Sequence, residues 1–265
     1  DPEIGSVYAY NYCDGTHYSA CFQNHNGGDL LNLYEGNNTD SVHIDSIHGT
    51  HFMNTYFRNH LDGGAHNGQS VAATSGFALD GHARFFNIVG NVFSDPSTWG
   101  TYETVNVDSG SSIYNLGFKG NCSNCSGLSN DSNVKRTLLR WGNWDNVTNT
   151  VRWLASEVPS AIASYPNPLP GNQILPASLY RLSKPAFFGS VAWPPIGPDV
   201  TGGNISGTGG HANKIPARLC FEAAPTDAAY SSSSPRIRAF DPAACYADGG
   251  GGTVPTAPTN LHIVP

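Results

Sequence analysis

One short phrase is written three times between Asn32 and Asn91: Asn32-Leu33-Tyr34-Glu35-Gly36-Asn37, Asn54-Thr55-Tyr56-Phe57-Arg58-Asn59 and Asn87-Ile88-Val89-Gly90-Asn91. Each copy is a few strand-forming residues closed by an asparagine, and self-similarity at a spacing in the low twenties is how repeat architectures announce themselves. The closing asparagines Asn37, Asn59, Asn91, Asn121 and Asn143 are separated by 22, 32, 30 and 22 residues, a 22-residue period with two insertions. Asparagine suits such corners: it tolerates the left-handed backbone, and its amide can bond the asparagine of the next turn.

Residues 7–153 read as short runs rich in aromatic and β-branched residues, separated by Gly, Asn, Asp and Ser turns. No helical periodicity intervenes, so a βαβ fold has nowhere to place its crossover helices. The expected fold is all-β: a right-handed parallel β-helix, a solenoid with coils of about 22 residues, over residues 1–158 and lacking N-terminal coils or a cap. A β-sandwich with Asn-rich turns is the alternative. Sixteen of the 18 prolines lie from Pro159 onward, so residues 159–265 are expected to be an irregular Pro/Gly-rich extension packed on the β-helix flank.

Charged residues make up only 12% of the 265, the net charge is −7, and no Lys or Arg precedes Arg58. Nucleic acid and anionic membranes are therefore unexpected partners, since both need a basic patch, and no apolar run is long enough to insert into a membrane. Eight of the ten histidines fall in the first 82 residues. Cys13, Cys21, Cys122, Cys125, Cys220 and Cys245 form three sequence-local pairs, as in an exported protein with short-range disulfides. A metal at Cys122-Ser123-Asn124-Cys125 is the rival reading, but no second ligand pair completes it. Asn-x-Ser/Thr sequons at Asn37, Asn121, Asn124, Asn130, Asn146 and Asn204 are candidate glycosylation sites.

The phrases Asn32–Asn37, His48-Gly49-Thr50 with Asn54–Asn59, and Arg84–Asn91 resemble the coils of bacterial right-handed parallel β-helix repeat proteins, the pectin-lyase-like superfamily. The likeness covers residues 5–153 and implies a secreted or cell-surface protein that meets extracellular polysaccharide. The order His-Gly, Asn, Arg, Asn, then Arg84 and Asn91, is similar to β-helix alginate and chondroitin lyases. Ile47 departs from that pattern where an arginine is expected, and no lysine precedes Lys119.

From the residues themselves, the richest constellation is His43 to His51, with Arg58, His60 and Asp62 beyond it and Asp80, His82 and Arg84 further on. If 43–45 is a strand, alternation puts His43 and Asp45 on one face and Ile44 in the core. Asp45, Arg58 and Asp80 would then line one groove. The expected catalytic set is Asp45, His48, Arg58, Asp80 and Arg84. It could serve a polysaccharide lyase, with a base, a cation and Ca²⁺, or a glycoside hydrolase with two carboxylates. Neither a cofactor nor a metal is fixed by the sequence, and a structural metal on the His/Asp cluster stays open. A non-catalytic, adhesive protein that self-associates, as in a filament, is the alternative function.

Overall fold

The computed structural model describes residues 3–13, 22–63, 75–95, 98–108, 110–120, 128–159, 169–227 and 238–245. The first sheet pairs β1 (Val7–Ala9), β3 (Leu33–Glu35), β6 (Thr55–Phe57) and β9 (Asn87–Val89), all parallel. A second runs β4 (Asn38–Thr39), β7 (His60–Leu61), β10 (Val92–Phe93), β13 (Asn143–Asp145) and β14 (Thr150–Arg152), the last antiparallel. The third holds β2 (Phe22–Asn24), β5 (Val42–Ile44), β8 (Ser75–Leu79), β12 (Ser112–Leu116) and β11 (Thr101–Val105). From β3 to β10 the chain visits the sheets in rotation.

This corrects the expected solenoid. In place of a single right-handed β-helix with 22-residue coils, the strands form three mostly parallel sheets of four, five and five strands with a few short helices. The expected 22- and 32-residue steps from Asn37 through Asn59 to Asn91 hold, but the step before them is 26 residues, and a single 52-residue step replaces the expected 30 and 22. β11 lies beside β12 after a connection too short for a coil, and β14 folds back antiparallel. The helix α1 (Asn133–Arg136) falls inside the 52-residue step. The segment Thr137–Trp141 contributes one bridge, Asn87 to Leu139.

The asparagines act as a ladder. Asn11, Asn37, Asn59 and Asn91 each give both backbone N–H and Nδ2 to the Oδ1 of the next member, ending on Asn143, at 2.8–3.1 Å. Asn91 bonds directly to Asn143, so the ladder steps past position 121, which lies outside the described residues. The same corner needs a positive φ: Tyr10, Gly36, Arg58, Gly90 and Gly142 adopt 59°, 67°, 53°, 68° and 69°. Where glycine stands, a neighbour occupies the vacated space. A Cβ on Gly36 would meet the Tyr10 ring, and one on Gly142 the Trp153 ring.

Between the sheets lies an apolar core that includes Val42, Ile44, Leu61, Phe77, Ile88, Tyr114 and Leu116. Tyr8, Tyr34 and Tyr56 stack face to face, with centroids 4.9 and 4.4 Å apart, because parallel in-register strands place equivalent rings above one another.

Residues 169–227 lie against the first and second sheets. Arg58 is 1% exposed and reaches Asp199 with both Nη atoms (2.6 and 2.9 Å), Ile196 O, Pro176 O and Leu175 O. Glu35 accepts from Leu179 N, Tyr10 from Trp193 Nε1, and Arg218 of α2 (Pro216–Ala223) donates to Asn38. Cys220 is bonded to Cys245 at the end of α3 (Pro242–Cys245), and Cys13 is also disulfide-bonded. Cys21, Cys122 and Cys125 lie outside the described residues. Among the described residues, no helix is long and apolar enough to cross a membrane.

Candidate functional site

The third sheet positions the histidine–carboxylate cluster. Parallel pairing sets Asn24 beside Ile44 and Ile44 beside Leu79, so the residues that follow, His25, Asp45 and Asp80, line up at one sheet end. Backbone bonds from Asp45 N to Asn24 O and from Asp80 N to Ile44 O hold that alignment. Two glycines let the adjoining turns close: a Cβ on Gly27 would sit 2.4 Å from His48 O, and one on Gly49 2.9 Å from the Gly27 Cα.

His25 Nδ1 lies 2.6 Å from Asp45 Oδ2, with the imidazole 45% exposed and Asp45 buried. Asp45 also accepts from Gln23 Nε2 (3.1 Å) and Ile47 N (2.9 Å). Burial alone would raise the Asp45 carboxyl, but the bonds from His25, Ile47 and Gln23 outweigh it and hold it below the usual carboxylate range. With Nδ1–H donated to Asp45, Nε2 is the unprotonated nitrogen of neutral His25. The His48 ring packs edge-on against it, centroids 4.6 Å apart.

His43 is the second pair, its Nε2 3.7 Å from Asp80 Oδ2. Burial pulls its imidazolium down, yet the facing Asp80 carboxylate, with the charge of Asp45, leaves the net shift upward. Beneath them His51 is fully buried. Its Nδ1 is 3.6 Å from Asp29 Oδ2 and neither ring nitrogen has a hydrogen-bond partner. Burial dominates there and lowers its proton affinity. On the outer face, Gln23, His43, Ala78, Asn115 and Thr104 stand in register across all five strands, a polar strip with a small residue at its middle.

Asp45, His48 and Asp80 lie in one cluster, linked through His25 and His43. Arg58 does not. It sits at a corner of the first sheet with its guanidinium fully used by residues 175–199, so the groove expected to run through Asp45, Arg58 and Asp80 does not form. Arg84 points to Asp131 (Nε to Oδ2, 2.8 Å), which also accepts from His82 N. His25, His51 and Asp29 were absent from the expected set. Their one sequence signal was the concentration of histidine before residue 83.

Among the described residues, no group of three or more His, Cys, Asp or Glu is placed to hold a metal ion, Ca²⁺ included. Asn37 is corrected as a glycosylation site: it is buried, and its Nδ2 is spent on Tyr8 O and Asn59 Oδ1. Asn130 and Asn204 are exposed and Asn146 is half-buried, its Nδ2 donating to Asp95 O; Asn121 and Asn124 lie outside the described residues. No family model, curated protein or solved structure matches the chain.

Proposed function

We propose that this protein binds and processes an extracellular polysaccharide at the exposed end of the third sheet, by base-assisted elimination from a polyuronate. The observation that carries the reading is the His25–Asp45 pair, an exposed imidazole oriented by a buried carboxylate at 2.6 Å. A second imidazole of raised proton affinity, His43, stands one strand away. Asp80 and Asp45 shift His43 toward the charged form, the state a general acid needs, and His25 stands beside it as the base.

In the proposed step, His25 Nε2 takes the proton alpha to the uronate carboxylate, and the electron pair forms the new C–C double bond. The bond to the leaving glycosidic oxygen breaks, and His43 gives that oxygen its proton. Hydrolysis is less well served, because Asp45 and Asp80 are both committed to histidines. The polar strip Gln23–Thr104 gives a linear polymer its track. Incubation with a panel of polyuronates, followed by the ultraviolet absorbance of unsaturated products, tests the reading. His25→Ala should lower the rate at least ~100-fold, the usual worth of a general base. Silence of the unaltered protein across the panel would overturn catalysis.

A specific observation favours a second reading, self-association. β1 has no strand partner on its outer side among the described residues, and Ile4, Val7, Leu31 and Met53 are exposed nearby. Sedimentation velocity across a concentration series separates the two, since a monomer throughout would count against assembly.

A further inference from the structure

Away from the histidines, a groove of about 670 Å³ opens between the end of β1, α2 and the strand-like segment at Arg238. Its volume is that of a small-molecule site, ~300–1,000 Å³. The walls are aromatic, with Tyr12 and Phe221 edge to face at 5.2 Å and Phe240 62% exposed at the rim. Rings held at an open rim offer a stacking face.

Two polar groups there are open to a ligand, one exposed and one buried without a partner. Asn11 is the outermost member of the asparagine ladder: it donates to Asn37, but no described residue donates to its own Oδ1, whereas Oδ1 of every later member accepts two N–H groups. Among the described residues, Arg238 is the only charged one lining the groove. Its guanidinium lies 5.5 Å over the Phe221 ring and donates Nη1 to Ala224 O at 3.3 Å, while Nε is buried without an acceptor. No described carboxylate pairs with it. A buried, unpaired guanidinium nitrogen is costly, and an incoming carboxylate would satisfy it by a charge-assisted bond.

We infer that this groove is a second binding site, for a ring that carries a carboxylate: the ring stacks on Phe240 and Tyr12, the carboxylate pairs with Arg238, and a ring hydroxyl donates to Asn11 Oδ1. Identifying the ring as a hexuronate of the polymer rests on the proposed function; the anionic ring itself rests on the groove alone. The site would hold a polysaccharide chain apart from the reacting residues.

Calorimetric titration of the whole protein with a galacturonate trisaccharide, its methyl ester and benzoate tests the assignment, with quenching of Trp193, which bonds Tyr10 at the groove wall, as a second readout. The free acid should bind at least 10-fold more tightly than the ester. Arg238→Gln should remove that preference, Phe240→Ala should weaken both sugars about 5-fold, and His25→Ala should leave groove binding unchanged. Equal binding of acid and ester, or acid binding untouched by both groove variants, would overturn the inference even if elimination is observed. Arg238-dependent uronate binding without any elimination product would sustain it while the catalytic reading falls. Binding of benzoate but of no sugar overturns the hexuronate identity, and a dimer abolished by Phe240→Ala overturns the ligand site in favour of a second copy.

Discussion

Arg58 shows how one residue can hold an entire segment. It occupies a left-handed corner, φ 53°, where a side chain costs about 1–2 kcal/mol, and that strain persists because five hydrogen bonds to residues 175–199 fix it. Arg58→Ala strips three carbonyls and the half-exposed Asp199 of their donor and should cost about 2 kcal/mol, because water can resolvate that carboxylate. Arg58→Gly loses the same contacts but sheds the strain, and urea denaturation should find it about 1 kcal/mol more stable than the Ala variant. Glu35, buried beside it, has its carboxyl raised by burial against the bonds from Ser178, Leu179 and Tyr10 and the charge of Arg58. A folded value above the unfolded one means the ionised form disfavours folding at alkaline pH, an effect that fades on acidification. Glu35→Gln should therefore raise the melting temperature at pH 8 and change it little at pH 4.

At the level of elements, the asparagine ladder is the clearest case of a sequence signal with a physical origin. Asn59 gives Nδ2 to Tyr34 O and Asn91 Oδ1 and accepts twice from Asn37. Asn59→Ala leaves several buried groups unpaired and should cost at least about 3 kcal/mol, whereas Asn11→Ala, at the exposed end, should cost less than about 1 kcal/mol by chemical denaturation. The strands around the repeated phrase were legible because each carries its own aromatic or β-branched run. β4, β7 and β10 were not, since two residues after a corner carry no periodicity. β2 escaped because its partner, not its own Phe-Gln-Asn composition, makes it a strand, whereas β11, Thr-Tyr-Glu-Thr-Val, carries a strand-forming run of its own.

For the whole molecule, the histidines set opposing pH dependences. His43 has a raised folded value, so its contribution is present below about pH 6.5 and lost as pH rises through that folded value. His51 has a lowered one, so its neutral form is favoured on folding and stability falls as pH drops below about 6.5. Asp45, lowered too, loses its contribution only in stronger acid. Stability against pH should form a dome; His43→Ala should flatten its alkaline arm and His51→Gln its acid arm, as followed by melting temperature from pH 4 to 9.

The sequence by itself determined the corners, the short strands of the first sheet, the ladder asparagines Asn37, Asn59, Asn91 and Asn143, with Asn121 counted among them, and the concentration of histidine near Asp45 and Asp80, because each is a local pattern of residue types. Only the tertiary structure decided the stacking at the 26- and 52-residue steps, since an insertion looped out between strands leaves the pairing chemistry unchanged. It alone also drew Arg58 away to Asp199, 141 residues along the chain, and brought His25 to Asp45. Side-chain partners at that distance are chosen by packing, and no local pattern of residues records the choice.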